Sequence, residues 1–225
     1  MAQSNALIFV NANHGTLEAG ESVFVQPVNP AGPCFPQAPE NDFSRITVKD
    51  GLPPIVSIVG KSDAGKTTLL EKLVPELTHR GYRVGTIKHD VHGFDIDHKG
   101  KDSWRHKQAG ACTVVISSPR KVAVVKDVDD EERLDNLLSK YFRDADIVIT
   151  EGYKREAKPK IEIFRSEVHD SPLCTDDENL VAIVSDAVLD LQVPRFDLED
   201  IAGLADLMEA RFSLRSNQAI RQHLI

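Results

Sequence analysis

Cysteine is scarce in this chain. Cys34, Cys112 and Cys174 are the only three, and no two stand as Cys-x-x-Cys. An odd, scattered set excludes a disulfide framework and a thiolate zinc knuckle, and it suits a reducing compartment, so a cytoplasmic protein is expected. Basic charge is also short: 27 Lys and Arg against 35 Asp and Glu leave a net charge of −8. That balance argues against a general nucleic-acid or anionic-membrane binder, which carries a basic surface or stripe. Aromatics are few, with a single tryptophan, so a base-stacking platform is missing as well. No apolar run approaches the ~18–20 residues that cross a bilayer. The opening MAQSNALIFVNANHG lacks the positive n-region and long apolar core of a signal peptide, and none is expected.

What remains is ordinary globular composition, 41% apolar and 28% charged over 225 residues, enough for one sizeable α/β domain with extra sequence. Residues 1–28 read as a short β segment, with strands in NALIFV and ESVFVQPV; two strands alone are marginal in water. Residues 29–53 read as a proline-rich linker. Pro27, Pro30, Pro33, Pro36 and Pro39 recur every third residue, the repeat of polyproline II, and twelve steps at ~3.1 Å reach roughly 37 Å. A PxxP ligand for a partner domain is the other reading of that run. Residues 54–213 alternate strand and helix patterns, and 214–225 form a tail.

Within 54–213 the run IVSIV (55–59) is β-branched throughout, as in a strand covered on both faces. Lys66 to Arg80 reads as a helix with Leu70, Leu73, Val74 and Leu77 on one face, closed by Gly81 and weakened or kinked by Pro75. Strands are expected at 82–88, 112–117, 122–126, 146–150, 160–164 and 180–184, and helices near 102–110, 131–143 and 198–211. The last shows a stripe of Ile201, Leu204, Leu207, Met208 and Phe212 behind a cap at Asp197. Alternating strands and helices predict a mostly parallel sheet flanked by helices.

GKSDAGKT, Gly60 to Thr67, matches G-x-x-x-x-G-K-[ST] between a buried-strand run and an amphipathic helix, the context a phosphate-binding loop requires. Gly60 and Gly65 let backbone wrap phosphate oxygens. The amides of Lys61, Ser62, Asp63, Ala64, Lys66, Thr67 and Thr68, with the helix N-terminus, supply positive potential. Lys66 is suited to β- and γ-phosphates and the Thr67 hydroxyl to Mg²⁺. Lys61 is similar to the signature lysine of deviant P-loop ATPases, but Ser62 and Asp63 stand where that pattern has glycines; an exposed loop lysine is the other reading. Glu151, ending DIVITEG, is the expected second acidic element for metal or water.

The stretch KHDVHGFDIDHKGKDSWRH (88–106) holds four of the eight histidines. A transition-metal site and a nucleotide-facing switch both fit it by composition. Its place after a strand that follows the loop helix favours the switch, because α/β sheets bind ligands at that edge. Asp97 or Asp95 would then position metal or water, and Lys101 or Arg105 would meet phosphate charge. Asp102 could face the nucleotide or simply start a helix. No NKxD guanine signature is present; Asp186, after LVAIVS, has the acceptor chemistry for guanine N1–H and N2–H₂ and also reads as a turn aspartate.

With the loop, the FDID…GKDSWRH…AGA block and TEGYKREAKPKIEIFR in view, the sequence resembles the molybdopterin-guanine dinucleotide biosynthesis adaptor family, MobB, over roughly residues 54–212. The resemblance implies a P-loop fold of the SIMIBI class, usually dimeric, binding GTP and Mg²⁺. Its members assist attachment of GMP to molybdopterin beside a MobA-type guanylyltransferase. NALIFVNANHGTLEAGESVFVQPV is similar to the C-terminal strands of the MoeA-type molybdotransferase, which implies partners in the same pathway. Slow GTP turnover is expected, since no arginine finger or water-orienting glutamine can be assigned. The alternatives are a nickel or zinc metallochaperone GTPase and a small-molecule kinase.

Overall fold

The structure, a computed structural model, describes residues 6–9, 24–27, 51–90, 93–94 and 96–214. The chain divides into two compact units, Met1–Phe43 and Ser44–Ile225. In the first, β1 (Ala6–Phe9) and β2 (Phe24–Pro27) pair antiparallel, Ala6 opposite Pro27 and Phe9 opposite Phe24. The expected proline-rich linker as far as residue 50, the loop of the MoeA-like segment and the C-terminal tail beyond 214 lie outside the described residues.

The second unit is built on a six-stranded, wholly parallel sheet. Its strands are β3 (Ile55–Val59), β4 (Val84–Lys88), β7 (Ile147–Glu151), β8 (Lys160–Phe164), β9 (Leu180–Ser185) and β10 (Arg195–Phe196), in the order β10-β9-β8-β3-β7-β4. The predicted parallel sheet flanked by helices is therefore present. The two strands expected at 112–117 and 122–126 do not join it. They form a separate antiparallel hairpin, β5 (Thr113–Ser117) with β6 (Val122–Lys126). The link between them is too short for a parallel crossover, which needs a dozen or more residues.

Alternation along β3 sorts the two faces. Val56 and Ile58 join Ile147, Ile149, Ile161, Ile163, Ala182 and Val184 beneath α1 (Lys66–His79) and α4 (Ile201–Arg211). From α1 this core takes Leu69, Leu73 and Leu77; Leu70 and Val74 are only partly buried, so the buried face is centred on Leu69 rather than Leu70. The helix runs through Pro75 and closes at Gly81, whose φ of +92° suits glycine. The α4 stripe packs as expected, but its cap is Asp200, which accepts the Gly203 amide, and not Asp197. Asp197 instead accepts the Glu199 amide in the turn before the helix.

On the opposite face, Ile55 and Val148 meet Leu134 and Leu138 of α3 (Leu134–Tyr141). Farther along that face Val59 meets Cys174 and Leu180, and here a loop takes the place of a helix. Lys160 and Glu162 point to this side, 2% and 1% exposed. Two loops satisfy them: Lys160 Nζ reaches Asp177 Oδ2 at 2.9 Å and donates to the Glu156 carbonyl, in the loop before β8, at 2.6 Å, while Glu162 accepts the Leu173 and Cys174 amides. Among the described residues no helix is long and apolar enough to cross a membrane.

Candidate functional site

The loop after β3 has the conformation its glycines predict. Gly60 has φ +152°, and a Cβ there would lie 2.5 Å from the Ile163 carbonyl oxygen, so no larger residue fits beside β8. Gly65 sits in the left-handed region at φ +98° and leads directly into α1. Asp63 shares that region, φ +61°, without being glycine, a strained position of the sort that collects at ligand loops. Ala64 is fully buried beneath the loop. Ser62, Asp63, Thr67 and Thr68 are exposed.

Two contacts define the chemistry. Lys66 Nζ donates to the carbonyls of Gly60 at 3.1 Å and Lys61 at 2.8 Å, so the ammonium rests inside the loop's own concavity. Thr67 Oγ1 donates to Glu151 Oε1 at 3.0 Å. The parallel register explains the second contact: Glu151 ends β7 opposite Ile58, beside the strand that feeds the loop. A hydroxyl and a carboxylate oxygen at that spacing form an oxygen set of the kind Mg²⁺ takes, and Lys66 supplies cationic charge beside it. The residues present fit a nucleotide phosphate with its magnesium.

Around Glu151 the chain is tightly organised. Gly152, φ +99°, lets its backbone approach His89 closely; a Cβ would lie 3.3 Å from His89 Cβ. The Gly152 amide donates to the Ile58 carbonyl at 3.1 Å, and the His89 amide to the Glu151 carbonyl at 3.0 Å. The His89 ring stacks on Tyr153, centroids 4.5 Å apart and planes 24° from parallel, and its Nε2 lies 2.9 Å from Glu131 Oε1. Burial, with Glu131 and Glu156 nearby, raises the Tyr153 phenol above its ordinary value. From the sequence alone His89, one residue past the strand, reads equally as a ligand contact and as a satisfied loop histidine. Its partners come from the loop after β6 and the loop after β7, separations no local pattern reveals.

The segment 88–106 is placed piecewise. Val91, His92 and Asp95 lie outside the described residues. Asp97 Oδ1 accepts the His98 amide at 2.9 Å and the Ser103 hydroxyl at 3.1 Å, so this carboxylate braces the turn into α2 (Asp102–Gln108). Asp102 opens that helix, and Arg105 lies 3.8 Å from it, both side chains exposed. The phosphate loop is drawn together with Glu151, whereas Asp97, Asp102 and Arg105 make contacts within their own segment. Among the described residues no group of three or more His, Cys, Asp or Glu side chains is arranged to hold a metal ion.

Asp186, just past β9, accepts the Ser166 amide at 2.8 Å, and that bond is the main reason its carboxyl lies below the usual range. Lys61, half-buried, donates from Nζ to Ser171 Oγ at 3.4 Å. Sequence reasoning missed Glu162 and His169. Glu162 accepts the amides of Leu173 at 2.5 Å and Cys174 at 2.8 Å. Burial raises its carboxyl above the ordinary value, and the two amides oppose that. His169 Nε2 lies 2.7 Å from the Ser62 carbonyl. The one signal for Glu162 was local: a lone acid within KIEIF, a strand buried along its whole length.

Comparison with known proteins agrees with this geometry. The family model described as "Molybdopterin guanine dinucleotide synthesis protein B", MobB, matches residues 55–186. The molybdopterin-guanine dinucleotide biosynthesis adapter protein of Haemophilus influenzae is 39% identical over 69% of this chain and 88% of its own length. The adapter protein of the same name from Escherichia coli is 38% identical over 69% of this chain and 91% of its own length. A crystal structure of molybdopterin-guanine biosynthesis protein B superposes with a TM-score of 0.56 at 33% identity, covering 71% of this chain and 99% of that one. The motif match, the Thr67–Glu151 pairing and these likenesses agree: the chain belongs to the MobB family.

Proposed function

We propose that this protein is a GTP-binding adaptor in molybdenum cofactor biosynthesis, acting where GMP is attached to molybdopterin. The observation that carries the reading is the Thr67–Glu151 contact at 3.0 Å beside Lys66, because it brings magnesium-type oxygens and a phosphate-seeking ammonium to one loop. In this reading Lys66 leaves the Gly60 and Lys61 carbonyls for the β- and γ-phosphates, while the loop amides and α1 N-terminus hold phosphate oxygens. Thr67 and Glu151 hold Mg²⁺, which neutralises phosphate charge when bound. Asp97 acts on metal or water, Asp102 and Arg105 face the nucleotide from α2, and Asp186 reads the guanine edge. Turnover is slow or absent.

The partners in this reading are a MobA-type guanylyltransferase and a MoeA-type molybdotransferase, the adaptor being a cytoplasmic homodimer. The relatives' names, biosynthesis adapter proteins, support a pathway role. Calorimetric titration with GTP, ATP and GMP in Mg²⁺ tests the nucleotide part. Preference for GTP, lost in Lys66→Ala, is expected; equal ATP and GTP affinity would remove the guanine assignment.

A further inference from the structure

The chain between β8 and β9 is tied down at three places, and the ties differ in kind. At its far end the Leu173 and Cys174 amides donate to Glu162, a carboxylate only 1% exposed. Withdrawing those amides would strand a buried charge without partners, which is costly, so this end holds. In the middle, His169 Nε2 meets the Ser62 carbonyl at 2.7 Å, and Ser171 meets Lys61 at 3.4 Å; the segment thus lies against the first half of the phosphate loop. At its near end the Ser166 amide donates to Asp186 Oδ1 at 2.8 Å, with both residues exposed. Water can replace that bond, so its net strength is small.

Asp186 is also the carboxylate with the right place and chemistry for a base. It follows Ser185, whose register partner on β8 is Phe164. Its strand stands two positions from β3 in the sheet, roughly 10 Å from the strand that feeds the phosphate loop. Guanine presents N1–H and N2–H₂ to a single carboxylate; adenine has no such pair of donors. The Ser166 amide already occupies Oδ1, so a guanine and Ser166 compete for the same acceptor.

We propose that residues 165–174 form a strap, hinged at Glu162 and latched at Asp186, which a guanine nucleotide unlatches by taking Asp186 from Ser166. This rests on the GTP-binding reading above. Unlatching frees the Ser166–Asp170 half and leaves Leu173–Cys174 in place. Bound guanine is thereby converted into a change in exposed backbone beside Lys61 and Ser62, a surface a partner protein can read. Glu162 acts here as a positioning residue.

Hydrogen exchange of the full-length protein in Mg²⁺, with a non-hydrolysable GTP analogue or the matching ATP analogue, tests the strap. The GTP analogue should speed exchange across residues 166–170 and leave 173–174 protected; the ATP analogue should do neither. Ser166→Pro removes both the latching amide and the Ser166 hydroxyl that also bonds Asp186, leaves Asp186 in place, and should raise GTP affinity roughly three- to tenfold. Asp186→Ala placed on Ser166→Pro should cancel that gain. Slower or unchanged exchange at 166–170 with bound GTP analogue, or unchanged GTP affinity in Ser166→Pro, overturns the strap alone. Failure of GTP to bind the wild-type protein in calorimetry overturns the nucleotide reading and the strap with it.

Discussion

Thr67 Oγ1 lies 3.0 Å from Glu151 Oε1 although 84 residues separate them in the chain. The contact exists because β7 lies beside β3 in parallel register and ends where the phosphate loop begins. Thr67→Ala and Glu151→Gln should each weaken Mg²⁺-dependent GTP binding about tenfold, the scale of one charge-assisted contact. Titrations with Mg²⁺ and with EDTA should differ for the wild type and nearly coincide for both variants.

Among the described residues, Lys66 donates to the Gly60 and Lys61 carbonyls of its own loop. Lys66→Ala should therefore abolish nucleotide binding while the thermal midpoint moves by no more than a few degrees, in keeping with loss of a part-exposed contact. Binding at wild-type strength would show that the loop is not the nucleotide site.

Gly60 and Gly100 make an internal comparison. Both have positive φ, but a Cβ at Gly60 collides with the Ile163 carbonyl while one at Gly100 meets nothing within 4 Å. Gly60→Ala should cost about 2–4 kcal/mol in denaturant unfolding, combining clash and strain; Gly100→Ala should cost about 1 kcal/mol from strain alone.

Glu162 should leave a signature in the pH dependence of stability. Burial raises its carboxyl in the folded chain, so the folded state keeps this proton to higher pH than the unfolded state does. The stability tied to that proton is fully present below the unfolded pKa of ~4.3 and is lost as pH rises through the folded value. Asp177 and Asp186, whose carboxyls lie below the usual range, act in the opposite sense, so the difference between wild type and Glu162→Gln is the informative quantity. At neutral pH the variant should be about 1–3 kcal/mol less stable, because an amide –NH₂ would face a backbone N–H. That deficit should widen as the pH falls toward the unfolded value, because only the wild type gains the stability tied to the proton.

Asp97 offers a separation of roles. Its Oδ1 braces His98 and Ser103, a task an asparagine oxygen can perform. If Asp97 serves metal or water, Asp97→Asn should reduce Mg²⁺-dependent turnover nearly as far as Asp97→Ala, and both should exceed His92→Ala. Full turnover in Asp97→Asn with loss in Asp97→Ala would make Asp97 a turn residue only.

Much of the domain was legible because its signals are local. IVSIV had to be a strand covered on both faces, and GKSDAGKT between it and an amphipathic run had to be a phosphate loop. The Leu204–Met208–Phe212 stripe likewise marked α4. Glu151 could be picked out because a phosphate loop calls for a second acid at the end of a neighbouring strand, although a glutamate at a strand end is common in itself. The hairpin β5–β6 was misplaced because its strands carry the same β-branched signature as sheet strands, and only the short link between them told against a crossover. His89, Glu162 and His169 carried little or no local signal of their partners, which arrive from loops far along the chain.

By itself, then, the sequence determined the phosphate-loop motif, the parallel α/β class and the acid that ends the strand beside it. These follow from residue type and from periods of two and 3.6 residues, which survive in one dimension. Only the tertiary structure decided that Glu151 meets Thr67, that Glu162 anchors a covering segment, and that Asp186 is already held by Ser166. Those relations depend on strand order and register, which bring distant residues to one edge of the sheet and which no local pattern encodes.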